Sequence, residues 1–341
     1  VTDRDRPPSS DRLLDLLADG ARAEATACLD RLAAADSERR KAFLRALREA
    51  AGERPGLFEG LAVPLSEFLT DDDRAVRLTT AKLFVALAAA EPAVVLPVAD
   101  RVAARLADDG EFYYVRARCA ETLGYVALES PEEVGDPAVL ADLRVGLSFD
   151  EPEVREKLAK ALKHVAAGDP SRLRHQVASL ADHLEDDREL VRYHLCTALV
   201  VVGTEHPERL SVAAEAFRTR ASEDESPYVR ARAAEALGTI VRSGSPVDPA
   251  PDLDAVESTF DDPPSFLTAR VEFLREVLHE GGSGKRPDDP GSVESIREGT
   301  DPIVEEITSP AGDGECPHCG LDLSDGGPPT CPRCGAPRRS T

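Results

Sequence analysis

Methionine is absent from all 341 residues, including the first, so either the first codon was read literally as valine or the true start lies upstream. Lysine is scarce, at 6 residues against 35 arginines. No apolar run reaches 18 residues, which leaves no candidate for a membrane-spanning helix. The opening VTDRDRPPSSDRLL has no apolar signal core, and the expected location is the cytoplasm. Glycine-rich phosphate loops, GxSxG and HExxH are all missing, and no nucleophile stands beside a recognisable base. The expectation is therefore a protein without catalytic residues. Five histidines gather at His164, His175, His183, His194 and His206, but no two are four apart as a helical metal site requires.

What the chain does have is acid. Aspartate and glutamate total 64 against 41 basic residues, a formal charge of −23. Such a charge opposes phosphate backbones and anionic membranes. The acid load with few lysines resembles proteins of salt-accumulating halophilic archaea. At about 1 M salt the Debye length is roughly 3 Å, so a partner would be recognised by contact rather than by steering.

A period of about 38 residues runs through the middle of the chain. Val-Arg recurs at Val76, Val115, Val154, Val191 and Val229, and prolines keep the same beat at Pro55, Pro92, Pro131, Pro170 and Pro207. Two copies are nearly the same text, YVRARCAETLG from 114 and YVRARAAEALG from 228. Each unit reads as helix, acidic turn, helix, with proline opening the first helix and the turn supplying caps for the second. On that second helix, Val and the residues four, five and eight further on share one face. In order these are Thr80, Ala81 and Phe84; Cys119, Ala120 and Leu123; Leu158, Ala159 and Leu162; Leu195, Cys196 and Leu199; Ala233, Ala234 and Leu237. Cys28, Cys119 and Cys196 read as small buried apolar residues.

This pattern resembles the HEAT family, including the HEAT-like repeats named from phycobilisome lyases, over residues 55 to 244. The resemblance implies an all-α chain, a right-handed α-solenoid of stacked helix pairs with an extended face for partners. Helices in 1–54 would cap one end, and a degenerate repeat in 245–280 the other. Stepping back 37 residues from Val76 puts Phe43, Leu44 and Leu47 in core register, and stepping forward 37 from Val229 gives Phe266, with Val271 and Leu274 in register. Asp71, Asp109, Asp150, Asp187 and Asp224 precede the repeated arginines, and in the family such residues pair between repeats as a ladder.

The residue three after each Val points away from the core stripe. It reads Thr79, Arg118, Lys157, His194 and Arg232, with Lys160, Lys163 and His164 nearby. This faintly basic line, centred on Arg118, Lys157, Lys160, His194 and Arg232, reads either as an ordinary solvated helix face or as a docking strip for an acidic segment of a protein partner.

From 281 to 315 the text turns to glycine, proline and charge, with nine acids and three bases. The composition predicts a flexible acidic linker of roughly 30 Å rms span, in which Ile296, Ile303, Val304 and Ile307 could form a short amphipathic segment that docks on the solenoid or on a partner. The last stretch, 316–341, carries Cys316-x-x-Cys319 and Cys331-x-x-Cys334, each within CPxCG. This resembles a zinc ribbon, and the four thiolates would complete one tetrahedral, structural Zn²⁺ site with no open position for chemistry.

The function expected from these residues is a non-enzymatic protein-protein interaction scaffold or adaptor with the ribbon as accessory contact. The alternatives are a nucleic-acid-associated factor contacting DNA or RNA through the ribbon, and, by analogy with the repeat's namesake, a bilin-lyase-like activity.

Overall fold

The computed structural model describes residues 9–280 and 292–308, and these are helical with no strand among them. Eight helices of 16 or 17 residues organise the chain: α1 (Ser37–Glu53), α2 (Arg74–Ala90), α3 (Tyr113–Glu129), α4 (Pro152–Gly168), α5 (Glu189–Glu205), α6 (Pro227–Arg242), α7 (Ser265–Glu280) and α8 (Val293–Thr308). Among the described residues no helix is long and apolar enough to cross a membrane.

Helices α2 to α6 are the second helices of the five repeats, and their starts follow from local chemistry. Asp73 Oδ1 accepts from the Ala75 N–H at the head of α2, and Ser226 Oγ accepts from the Tyr228 and Val229 N–H groups at the head of α6. Pro152 and Pro227 occupy first turns, where a missing N–H costs nothing. The first helices are less regular than helix-turn-helix spacing suggests. Each of the five prolines starts a single turn, as in Pro92–Val94 and Pro131–Val134, and the chain then resets into a short helix such as Ala99–Ala107 or Pro137–Val145. After Pro55, Pro92 and Pro131 a second proline or a glycine soon follows and limits the run.

The described residues fall into two compact units, one ending at His183 and the other beginning at Leu184. In both, the stripe of every second helix is the core: Val76, Val115, Val154, Val191 and Val229 and the fifteen stripe residues that follow them are all at most 1% exposed. In the first unit, α1 continues the stack on α2 and buries Phe43, Leu44 and Leu47. Among the described helices α3 and α4 share the most extensive contact. Small residues make that seam possible: a Cβ built on Gly124 would lie 2.7 Å from the Ala161 Cα, and one on Gly168 would lie 1.9 Å from the Ala127 carbonyl oxygen.

In the second unit α7 packs on α6. Val271 and Leu274 are buried, but the position that the period assigns to Phe266 belongs to Leu267. Phe266 is only half-buried, and its ring is spent on arginine faces, as described below. The expectation of a linker from 281 to 315 gives way over 293–308, where α8 packs on α5. This helix contains the short amphipathic segment read from Ile296, Ile303, Val304 and Ile307, and among its described side chains it buries Ile296, Thr300 and Ile303 on one face.

Arginines near the start of the long helices tie neighbouring acidic turns together. Arg40 Nη2 lies 3.0 Å from Asp71 Oδ1, Arg77 forks onto Glu111 at 2.8 and 3.0 Å, and Arg192 forks onto Asp224 at 2.7 and 2.9 Å. Each of these acids belongs to the turn of the next repeat. Arg77 and Arg192 also donate to carbonyls of their own turns, at Asp71 and Asp186 (both 2.7 Å). Arg116 differs: it pairs with its own Asp109 at 3.1 Å and lies over the Phe149 ring.

Burial pushes the Cys119 and Cys196 thiols up to about 12. Both should resist a water-soluble thiol reagent at pH 8 and react only as each unit unfolds in urea, because the attacking species is the thiolate. Fast labelling of the native chain at either position, mapped by peptide mass, would contradict this packing.

Candidate partner-binding face

The five residues read as a basic line lie on α3 to α6, but the structure does not leave them as a solvated strip. Lys157, His194 and Arg232 are buried, and Arg118 and Lys160 are partly buried. The correction has a physical reason. Helical spacing fixes the side of a helix on which a residue stands, but not what packs over that side. Arg118, Lys157, Lys160 and Arg232 each sit against a carboxylate or an aromatic hydroxyl placed there by their own repeat or by a neighbouring one.

In the first unit the centre is Glu121, on α3. Its carboxylate accepts from Arg118 Nη1 at 2.7 Å, one helical turn away, and from Lys160 Nζ of α4 at 3.0 Å. Lys160 donates as well to the Tyr125 hydroxyl at 2.7 Å, and the Tyr125 ring lies 4.7 Å from that of His164. Lys157 pairs with Glu156 at 2.9 Å. Burial alone would raise the Glu121 carboxyl, but Lys160, Lys157 and Arg118 outweigh it and hold it below the usual carboxylate range. Burial likewise opposes the charge of Lys160, yet Glu121 and Tyr125 hold its ammonium above the usual range.

The sign of the pH dependence follows. The folded carboxyl titrates below its unfolded value of about 4.3, so its contribution is complete above that pH and is lost as pH falls through the folded value. Lys160 acts in the opposite sense, with stability present below about 10.4 and lost as pH rises through its folded value. Glu121→Gln should therefore show a smaller fall in melting temperature between pH 5 and pH 3 than the parent chain. Equal acid limbs in circular-dichroism melts would remove Glu121 from the account.

In the second unit the same arrangement recurs and is buried. Arg232 and Glu235 of α6, the counterparts of Arg118 and Glu121, are both 0% exposed. Arg232 Nη1 donates to Glu235 Oε2 at 2.7 Å, and Arg270 Nε of α7 donates to the same oxygen at 3.0 Å. Burial raises the Glu235 carboxyl, but the two arginines outweigh it and lower it overall. Aromatic rings complete the enclosure, with the Arg270 guanidinium 3.5 Å from the Phe266 ring centre and that of Arg232 at 5.0 Å.

Helix α8 closes this site. Arg232 Nη2 donates to Thr300 Oγ1 at 3.0 Å, and the Thr300 hydroxyl in turn donates to the Ile296 carbonyl. Ile296 and Ile303, four residues before and three after Thr300, are buried on the same face of α8. At the rim the Tyr228 hydroxyl is pushed up by burial and by its hydrogen bond to the Glu306 carboxylate. The sequence flagged Arg232 but not Glu235, Arg270 or Thr300. The repeat of Arg-x-x-Glu in both near-identical copies was the available signal for Glu235.

Among the described residues no three of His, Cys, Asp and Glu come together as a metal site. Cys316, Cys319, Cys331 and Cys334 lie outside the described residues.

Comparison with known proteins gives the class of the scaffold. Residues 99–199 match the model of the HEAT repeats family. One engineered protein of solved structure is 18% identical, with a TM-score of 0.60 over 89% of this chain and 80% of that one. A second is 16% identical, with a TM-score of 0.54 over 65% of this chain and 98% of that one. A computationally designed armadillo repeat protein for modular peptide recognition is 18% identical, with a TM-score of 0.53 over 62% of this chain and 97% of that one. The chain therefore has the fold of a helical repeat solenoid. Comparison with curated proteins finds no match.

Proposed function

We propose that this chain is a non-enzymatic scaffold or adaptor for protein-protein interaction. Its second-helix face takes an acidic segment of a protein partner. The observation that carries this reading is the Arg118–Glu121–Lys160–Tyr125 group: two cations and a phenol around one carboxylate, partly exposed, on a chain of net charge −23. Surface cations scattered among 64 acids are mostly neutralised by their neighbours. A group held with positive excess on a repeat scaffold is suited to a carboxylate brought in by contact. The peptide-recognition purpose of the designed armadillo relative supports the reading by analogy of fold.

The C-terminal ribbon is assigned the part of an accessory contact module. Four cysteines in two CPxCG turns suit one Zn²⁺ as structural metal, with the thiolates filling its tetrahedron. The metal would hold the turns together, and Arg333, Arg338 and Arg339 would supply the contacts.

The test is recovery of partners on tagged full-length chain after nuclease treatment, compared with Lys160→Gln and with Cys316→Ser/Cys334→Ser. The reading expects nuclease-resistant protein partners that Lys160→Gln weakens under conditions where circular dichroism shows the lower-melting variant still folded, and zinc that the cysteine variant loses. Recovery that nuclease abolishes would overturn it in favour of nucleic-acid contact through the ribbon.

A further inference from the structure

The site closed by α8 differs from its partly exposed counterpart in one respect: the chain has filled it with a segment of its own. Three features make α8 a weak occupant. It carries Gly299 and Pro302 within the helix, and the proline has no N–H for the carbonyl four residues back, so α8 is a poor helix by itself. The eleven residues before it, 281–291, include four glycines and two prolines. Finally, Arg232 and Arg270 outnumber Glu235, yet among the described side chains the group that α8 gives Arg232 is the neutral hydroxyl of Thr300.

The polar fit is also incomplete. Arg232 Nε and Glu235 Oε1 are buried without a hydrogen-bond partner among the described residues. One is a donor and the other an acceptor. A threonine hydroxyl already engaged with Arg232 Nη2 and the Ile296 carbonyl serves neither. A carboxamide has both functions, its oxygen accepting from Nε–H and its NH₂ donating to the carboxylate.

We propose that the face of α5, α6 and α7 around Arg232, Glu235 and Phe266 is a docking site for an acidic amphipathic helix of a partner protein. That helix carries aliphatic residues where α8 has Ile296 and Ile303 and an asparagine or glutamine where α8 has Thr300, and α8 is the placeholder it displaces. The sequence of α8, VESIREGTDPIVEEIT, with five acids and one base, sets the charge type of the occupant. A second copy of this chain is the poorer occupant. Its helix would bring the same threonine, glycine and proline, and it would compete against a tethered copy at an effective concentration on the order of millimolar. The inference rests on the scaffold reading above but uses a different site from the Lys160 group.

The test uses full-length chain and fluorescein-labelled peptides of residues 292–308 carrying Gly299→Ala and Pro302→Ala, with Thr300 kept or replaced by asparagine. In Ile296→Asp/Ile303→Asp chain the resident helix is dislodged, so the asparagine peptide should bind at least about tenfold more tightly than to the parent chain. It should also bind more tightly than the threonine peptide. Absence of binding to the variant, or equal binding to variant and parent, would overturn the proposal. If the variant loses helicity, amide exchange of α8 in the parent chain decides instead. Exchange that quickens on adding the asparagine peptide supports displacement, and unchanged exchange overturns it. A concentration-dependent dimer that the peptide fails to dissociate would also overturn it, by making a second copy the occupant. A partner lost with Lys160→Gln while these peptides fail would sink this inference and leave the scaffold reading standing.

Discussion

Glu235→Leu should cost the second unit about 3–5 kcal/mol, the largest loss expected from one substitution in this chain. The carboxylate is 0% exposed and holds Arg232 and Arg270 at 2.7 and 3.0 Å. Removing it leaves two guanidinium groups together in a buried site, with the Phe266 and Tyr193 rings and the Thr300 hydroxyl beside them. Neither arginine can shed its proton to escape, because guanidinium stays charged at any pH the protein survives. The measurement is urea unfolding followed by circular dichroism, urea being uncharged and so leaving ion pairs unscreened. With a slope of about 2 kcal/mol per molar, the transition of this unit should move down by roughly 2 M. Replacing all three residues together, Arg232→Met/Glu235→Leu/Arg270→Met, should recover most of that loss, since a buried charged group removed whole takes its desolvation cost with it. A triple variant no better than the single one would mean that the charges stabilise the fold outright.

Gly168→Ala is the second large effect, in the first unit. The added methyl would sit 1.9 Å from the Ala127 carbonyl oxygen and 2.9 Å from its carbon. Both belong to the backbone of α3, so no rotamer change relieves the clash, and α3 and α4 must separate along their closest seam. Overpacking of this kind costs about 1–3 kcal/mol, and a clash with backbone belongs at the upper end. Gly52→Ala in α1 is the control. A Cβ there meets nothing within 4 Å, so the same change should stabilise by about 0.5–1 kcal/mol through helix propensity. Opposite signs for two Gly→Ala changes at helix ends would show that space, rather than backbone entropy, sets the α3–α4 contact. Equal signs would refute the close approach.

Much of the scaffold was legible because periodicity is a local property. The Val-Arg beat located five second helices, and the stripe behind each Val gave the core residue by residue. The acidic turn residues were legible as a ladder only in outline. Arg77 takes Glu111 rather than Asp109, because Glu111 lies next to the following helix and its longer side chain spans the gap. Phe266 was placed one residue out of register, since the repeat interval itself varies between 37 and 39 and a fixed step of 37 lands one short of Leu267. The face itself was less legible. Arg232 looked solvated because most of what encloses it comes from outside its own repeat: Tyr193, Phe266 and, 68 residues further along, the Thr300 hydroxyl. Helix α8 was visible only as four aliphatic positions in an acidic segment, and a period cannot tell which face such positions will find.

The turn arginines carry a meaning for how the chain came to be. Arg192 gives its fork to the acid of the next repeat and one N–H to its own turn, while Asp224 receives from the repeat before and offers its carbonyl to Arg230. The repeat of Arg192 thus holds a plug for the next repeat, and the repeat of Asp224 holds the socket that receives it. A tandem duplication of a unit fastened in this way would bring its half of the join along with it. The near-identity of YVRARCAETLG and YVRARAAEALG, three repeats apart, is the kind of mark that such copying leaves.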